Sequence, residues 1–313
     1  MSKIIGIDTS NYTTSVAVFD TDTNEIVQSK KLLPVKSGEV GLRQSDAVFN
    51  HIKQFPQLIS AVSDMCKGAE AVGVSIKPRG IEGSYMPCFL VGETIAESIC
   101  AVSGAEFYKT SHQIGHILAA LYSCKKLEYI KNNKTFIAFH VSGGTTDMLL
   151  CRPDEQKILD VEDIGHSLDL KAGQVIDRTG VMLGLEFPCG REIEKLAAKS
   201  KAVFKIRPVM KCMNCCLSGI ENQCKKLYEN GAEPCDVALF CLESVYEAIC
   251  AMTDEAINKY GKLPVVYAGG VMSDKLIADK LQKRFDGCFA APEFSCDNAA
   301  GVAVFAAIRK GLI

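Results

Sequence analysis

Two histidines stand four residues apart in His112-Gln113-Ile114-Gly115-His116. On a helix that spacing puts both imidazoles on one face, about one turn apart. Such a pair can hold a single metal ion. It equally describes two polar helix residues near a surface, and spacing alone does not separate the two. The first histidine is followed by Gln113, so the glutamate that acts as general base in the zinc-protease pattern is missing and peptide hydrolysis by that route is disfavoured. A third metal donor would have to come from elsewhere. Asp297 lies where a strand-like approach gives way to an Ala-rich run, a position that by itself favours a helix N-cap over a ligand. Two imidazoles and one carboxylate with open positions would suit Fe(II) or Zn(II).

A second kind of chemistry is suggested by two polar turns. Residues 3–20 read as an apolar strand, a turn of Thr, Ser and Asn, and another apolar strand. Residues 136–152 repeat the plan around Val141-Ser142-Gly143-Gly144-Thr145-Thr146. Small residues let a backbone approach phosphate, and turn N–H groups and hydroxyls donate to it. The adjacent Gly143 and Gly144 suggest a tight reversal at positive φ. A plain hairpin turn fits the same residues equally well.

The elements around these residues alternate. Helices are expected over 44–65 (broken near Pro56), 89–102, 112–124, 169–184, 190–199, 217–229, 236–259, from about Ser273, and over 298–310; buried strands are expected over 70–76 and 264–268. That pattern argues for α/β sheets covered on their faces. Similar hairpins opening the two halves of the chain suggest duplicated α/β lobes. The polar stretch 125–134 marks a boundary, giving lobes of residues 1–130 and 131–313.

Composition narrows the function classes. Hydrophobic residues make up 48% and charged residues 23%, but Trp is absent and aromatics reach only 7%; the core must therefore come from Val, Ile, Leu and Ala. The formal net charge of -2 shows no global basic surplus, so unaided binding of RNA is not favoured. Lys125, Lys126, Lys131 and Lys134 form a local basic cluster, for which a solvated helix end is the commoner outcome. The opening residues reach Asp8 too early for a signal peptide, and no apolar run of about 18 residues suggests a membrane span. With no export signal, the 15 cysteines imply a reduced, cytoplasmic chain in which most act as small buried apolar residues. Cys212, Cys215 and Cys216, with Cys224 beyond, contain one C-x2-C pair. A structural zinc site needs four ligands, so these are expected to be structural.

Taken in order, GIDTS, SHQIGH, VSGGTTD, SLDLKAGQVIDRTGVMLGLEFPCG, CLSGIEN, YAGGVMSDKL and PEFSCDNAAG run nearly end to end. Together they resemble the tRNA N6-adenosine threonylcarbamoyltransferase family, formerly described as O-sialoglycoprotein endopeptidases. The resemblance implies the actin-like ATPase fold, with two duplicated α/β lobes around a nucleotide cleft. It implies ATP or an acyl adenylate as ligand, and one divalent metal held by His112, His116 and Asp297. Val141, Ser142, Gly143, Gly144 and Thr145 match the loop that cradles phosphate, while Asp177, Gly190 and Asp274 match nucleotide-contacting positions. Asp8 and Thr9 are the candidate catalytic residues, orienting the donor or a water.

The implied reaction moves threonylcarbamoyl from its adenylate to the exocyclic amine of an adenosine in tRNA, with AMP leaving. The implied partners are tRNA, bound with helper subunits, a catalytically dead paralogue and a small ATPase. Several positions depart from the family pattern. Tyr12 and Thr13 replace an acidic pair, Thr145 replaces a His, Asp274 an Asn and Cys189 a Gly, and Lys77 to Phe89 is longer and more polar. These departures point to a divergent member. The alternatives are a carbamoyl-type transferase acting on a small molecule, or a non-catalytic nucleotide-binding paralogue that scaffolds a partner.

Overall fold

A computed structural model describes residues 2–10, 12–34, 42–296 and 299–313. The chain divides into two compact units. One comprises Met1–Asn133, Pro153–Asp160 and Glu293–Ile313; the other comprises Lys134–Arg152 and Val161–Pro292.

The first unit contains β1 (Lys3–Ser10), β2 (Thr13–Asp20), β3 (Glu25–Leu32), α1 (Gln44–Ala61), α2 (Ser63–Cys66), β4 (Ala69–Ser75), α3 (Phe89–Ser103), β5 (Glu106–Thr110), α4 (His112–Ser123) and α5 (Glu128–Lys131). Its sheet has the order β3-β2-β1-β4-β5. The first three strands are antiparallel, and β4 and β5 join parallel to β1. β2 is buried along its whole length, as expected of a β-branched, apolar central strand covered on both faces. α1 buries His51, Gln54, Phe55 and Leu58, the one-face spacing of an amphipathic helix. The break expected near Pro56 does not occur: α1 runs through it. Pro56 lies on the exposed face, where water can satisfy the carbonyl that its missing N–H leaves free.

The second unit contains β6 (Phe136–Val141), most of β7 (Thr146–Asp154) and β8 (Ile158–His166), then α6 (Ala172–Met182), α7 (Gly190–Ala197), β9 (Val209–Lys211), β10 (Asn214–Cys216), α8 (Ser218–Glu229), α9 (Pro234–Tyr260), β11 (Val265–Ala268), a 3-10 turn at Gly270–Ser273, α10 (Lys275–Phe285) and β12 (Cys288–Phe289). The order of its sheet is β12-β11-β6-β7-β8. Counted within each sheet, both run third, second, first, fourth, fifth, so the similar hairpins reflect a repeated topology. α9 starts with Pro234, a residue preorganised for the first helical turn. It buries Val237, Ala238, Leu242, Val245, Ile249 and Met252 in the core.

Two last helices follow, α11 (Pro292–Ser295) and α12 (Ala300–Arg309). The sequence places this stretch in the lobe 131–313, but residues from Glu293 onward belong to the first unit. The reason is steric and apolar. Ala300 to Ala307 of α12 are all buried, and a Cβ at Gly301 would lie 1.8 Å from the Gly115 carbonyl oxygen. α12 and α4 therefore touch backbone to backbone. Among the described residues, no helix is long and apolar enough to cross a membrane.

Candidate functional site

The candidate residues fall into two groups, one in each unit. In the first unit, Ser111 caps α4 by accepting from the Ile114 N–H at 3.3 Å. That cap makes His112 the first helical residue and puts His116 one turn on. The next N–H groups of the helix start are also taken: those of His112 and Gln113 donate to the Lys77 and Pro78 carbonyls at 2.9 and 3.0 Å. The long Lys77–Phe89 segment thus has a local task, holding the start of α4. The contact of Gly301 with Gly115 fixes the same helix from the other side.

The two imidazoles meet edge to face, their centroids 4.4 Å apart, with their Nε2 atoms at 3.0 Å. His112 Nδ1 lies 2.6 Å from Asp8 Oδ2. The other oxygen of Asp8 accepts from Ser75 Oγ at 2.8 Å. Asp8 is on β1 and Ser75 ends the neighbouring parallel strand β4, so adjacent strands supply the carboxylate and its hydroxyl partner. The carboxylate holds the His112 Nδ1 proton, which leaves Nε2 with its lone pair. Two Nε2 atoms at this distance fit either a hydrogen bond from His116 Nε2–H to the His112 lone pair or a cation between two lone pairs. In the second arrangement the pair fits a metal that prefers imidazole, with Asp8 as the carboxylate that orients a ligating histidine from behind.

Asp297, expected as the third ligand, lies outside the described residues. Among the described residues no group of three His, Cys, Asp or Glu side chains converges as a metal site. Asp8 and Thr9, the candidate catalytic residues, are 1% and 0% exposed, and their bonds give them positioning contacts. The Thr9 hydroxyl donates to the Cys88 carbonyl at 3.0 Å and accepts from the Gly92 N–H at 3.1 Å, pinning the start of α3 to β1.

In the second unit, Val141 to Thr145 form the turn between β6 and β7. Ser142 organises it. Its N–H donates to the Thr145 carbonyl at 2.8 Å. Its Oγ accepts from the N–H groups of Gly144 and Thr145, both at 3.2 Å, and lies 3.1 Å from Thr145 Oγ1. The positive φ expected at Gly143 and Gly144 is absent at both, because the Ser142 side chain closes the turn instead. A Cβ at either glycine would meet open space, the nearest atom being Ser142 Oγ at 3.9 Å from the one on Gly144. The sterically obligatory glycine is Gly173, whose Cβ would lie 2.6 Å from Gly143 N. It lets the start of α6 rest on the turn: the Ala172 N–H donates to Thr146 Oγ1 at 2.9 Å and the Gly173 N–H to the Ser142 carbonyl at 3.1 Å.

The acidic candidates accept N–H groups near helix starts. Asp177 Oδ1 accepts from the Cys189 N–H at 2.8 Å, at the start of α7, where Gly190 is exposed. Burial raises the Asp177 carboxyl above the ordinary range, and the Cys189 N–H opposes this. Asp274 accepts from the Ile277 N–H at 3.1 Å and so caps α10. Burial, with a further contribution from Glu194, pushes its carboxyl up to about 6, against the pull of the Ile277 N–H. The structure thus brings Val141–Thr145 together with the start of α6, places Asp177 within α6, and places Gly190 and Asp274 at the starts of α7 and α10 in the same unit. Cys215 is buried and Cys212 exposed at the β9–β10 turn, while Cys224 lies on α8.

Sequence reasoning missed Ser75, Gly173 and Asp169. Asp169 accepts from the N–H groups of Leu217 and Leu170 and from Ser218 Oγ, the first two at 2.7 and 2.8 Å, tying the segment before α6 to the start of α8. A glycine inside the helical run AGQVIDRTG was the one visible signal, since an interior glycine marks close packing.

Residues 29–304 match the family model of TsaD, tRNA N6-adenosine threonylcarbamoyltransferase. Relatives of that name from Buchnera aphidicola subsp. Acyrthosiphon pisum, strains Tuc7 and APS, are 27% identical over 332 aligned residues, covering 98% of this chain and 93% of theirs. Among solved structures, component A of Acidaminococcus fermentans (R)-2-hydroxyglutaryl-CoA dehydratase has a TM-score of 0.59 at 16% identity, covering 100% of this chain and 99% of its own. Full-length HypF in its phosphate- and nucleotide-bound form has a TM-score of 0.60 at 12% identity, covering 99% and 55%. A ROK hexokinase from Thermus thermophilus has a TM-score of 0.52 at 12% identity, covering 99% and 99%. These likenesses give the fold, that of the actin-like ATPases, and the matched family model gives the membership: the chain belongs to the tRNA N6-adenosine threonylcarbamoyltransferase family.

Proposed function

We propose that the protein is a divergent threonylcarbamoyltransferase that acylates the exocyclic amine of an adenosine in tRNA. The observation that carries this is the imidazole pair backed by Asp8. A kinase-like site would have no use for two converging Nε2 atoms 3.0 Å apart. His112 and His116 would hold one iron or zinc ion, which when bound supplies a Lewis acid for an anionic donor. Asp8 fixes the His112 tautomer, and Ser75 fixes Asp8. Thr9 holds α3 in place. In the second unit the Ser142-centred turn receives phosphate of ATP or of the acyl adenylate over the open space at Gly143 and Gly144. In the transfer, the adenosine nitrogen bonds to the carbamoyl carbon, the carbon–oxygen bond to phosphate breaks, and AMP leaves with the electron pair. The amine proton passes to water, since no exposed acidic pair stands at Tyr12 and Thr13. The net charge of -2 favours presentation of tRNA with helper subunits, in a cytoplasmic assembly.

Deleting the gene and analysing the nucleosides of total tRNA tests this reading. Loss of threonylcarbamoyladenosine, restored by the wild-type gene and not by His112→Ala, is the expected result. An unchanged level in a strain with no second family member refutes it, and leaves the small-molecule transferase and the scaffolding paralogue.

A further inference from the structure

Between Lys195 and Ile220 the chain contains no Asp or Glu. From Lys201 to Lys211 it alternates regularly. Lys201, Val203, Lys205, Arg207, Val209 and Lys211 are exposed, while Ala202, Phe204, Ile206, Pro208 and Met210 are half-buried. This is the two-residue period of an extended chain with one face packed and one face free. The inner row anchors it: Phe204 meets Phe240 of α9 edge to face at 5.2 Å, and Phe204 and Met210 pack on the core of the second unit. The ends are held too. Ser200 Oγ bonds to Asp236 Oδ1 and accepts from the Ala202 N–H at 3.1 Å. At the far end β9 pairs with β10.

The outer row is cationic. Two lysines near the segment are ion-paired, Lys195 with Glu192 and Lys225 with Glu229. Among the described residues, Lys201, Lys205, Arg207 and Lys211 form no ion pair. At about 3.3 Å per residue the row spans about 33 Å, several times the screening length of about 8 Å at physiological salt. A single phosphate or a mononucleotide can meet only a part of such a row. A long polyanion can meet all of it. Val203 and Val209, interleaved with the cations, offer apolar contact to sugars and bases.

We infer that this ribbon is a docking strip for the sugar–phosphate backbone of tRNA. The inference rests on the tRNA reading above and adds where the RNA is held. It also reconciles RNA binding with a near-neutral chain, because the positive charge is concentrated rather than abundant.

The test uses the full-length protein and a fluorescently labelled tRNA transcript, with anisotropy followed between about 50 and 200 mM KCl, where counterion release dominates. Replacing Lys201, Lys205, Arg207 and Lys211 together by Gln is expected to weaken tRNA binding more than tenfold at low salt. It should also flatten the slope of log affinity against log salt by about 3, as expected for about four lost phosphate contacts. A control replaces Lys67, Lys157, Lys195 and Lys225 by Gln, four exposed and ion-paired lysines, and changes net charge equally. It should bind nearly as the wild type does. Circular dichroism and adenine-nucleotide affinity check that each variant is folded. Unchanged tRNA affinity and slope in the strip variant, the outcome if the strip docks an acidic protein instead, overturn the inference. So does an equal loss in the control, or a wild type that binds no tRNA at low salt. The tRNA reading stands or falls separately, on the nucleosides of the deletion strain.

Discussion

His51 gives a prediction whose size follows from the structure. It is completely buried on α1, with Nδ1 2.8 Å from Thr14 Oγ1. The Thr14 hydroxyl donates its proton to Gln54 Oε1 at 3.1 Å, so His51 Nδ1 must carry a hydrogen and donate to Thr14. The neutral ring is thus satisfied at Nδ1, and a second proton would place a charge in the core. Burial lowers the pKa from 6.5 to about 4, against smaller opposing effects of the Ser10 backbone and Asp8. A folded pKa below the unfolded one means that the unfolded chain binds more protons between about pH 6.5 and 4. Stability is then full above 6.5 and is lost as pH falls towards 4. A difference of about 2.5 units corresponds to about 3 kcal/mol in all, of which about 2 kcal/mol disappears between pH 7 and pH 5. His51→Asn keeps a donor near the Nδ1 position and cannot charge. Urea unfolding at pH 7 and pH 5 should therefore show a drop in stability smaller by about 2 kcal/mol in the variant than in the wild type. NMR of the five histidines, with His51 assigned by its absence in the variant, reports the titration directly. A His51 pKa near 6.5, with equal pH dependence in the two proteins, would refute the reasoning.

Three further variants test the candidate site. Asp8→Asn should lower iron or zinc affinity about ten- to a hundredfold by releasing the His112 ring, and His112→Ala should abolish binding; elemental analysis and chelator competition on untagged protein measure both, and full occupancy in His112→Ala removes the site. Gly144→Val should leave the melting temperature nearly unchanged, because its Cβ meets open space, yet weaken adenine-nucleotide binding in calorimetry at least tenfold; equal affinity in two well-folded proteins would remove the phosphate assignment of Val141–Thr145.

Much of the fold was legible where a sequence signal is local and strong. The two hairpins, the helices α3, α4 and α9 and the strand β4 all follow from apolar periodicity and capping residues. What was not legible depends on partners far away in sequence. β5 and β12 are short strands whose pairing is decided by β4 and β11. α12 joins the first unit because Gly301 fits against Gly115, a contact no window of sequence contains. The imidazole pair was visible from its i, i+4 spacing, but the contacts of Asp8 and Thr9 with His112, Ser75, Cys88 and Gly92 were not, because their partners lie far away in sequence. The basic ribbon was hidden for the opposite reason. Its charges are plain in the sequence, but their value lies in which cations are unpaired and face outward.

The departures from the family pattern acquire structural roles of their own. Thr145 in place of His keeps a short hydroxyl side chain beside Ser142 Oγ, so the turn stays closed without an imidazole. Cys189 in place of Gly is buried, and its Sγ would stand 2.6 Å from a Cβ at Gly180; the extra side chain is accommodated because Gly180 has none. Asp274 in place of Asn still caps α10, for which either residue serves. The difference lies in charge. An Asn would be neutral at every pH, whereas Asp274 titrates at about 6 and is ionised above that, beside Glu194. Of the three, only this replacement adds a negative charge to the unit proposed to receive phosphate, so selection for tight phosphate binding at neutral pH would act against it. On the proposed phosphate-binding reading, that added charge is the structural feature that argues for a divergent member of the family.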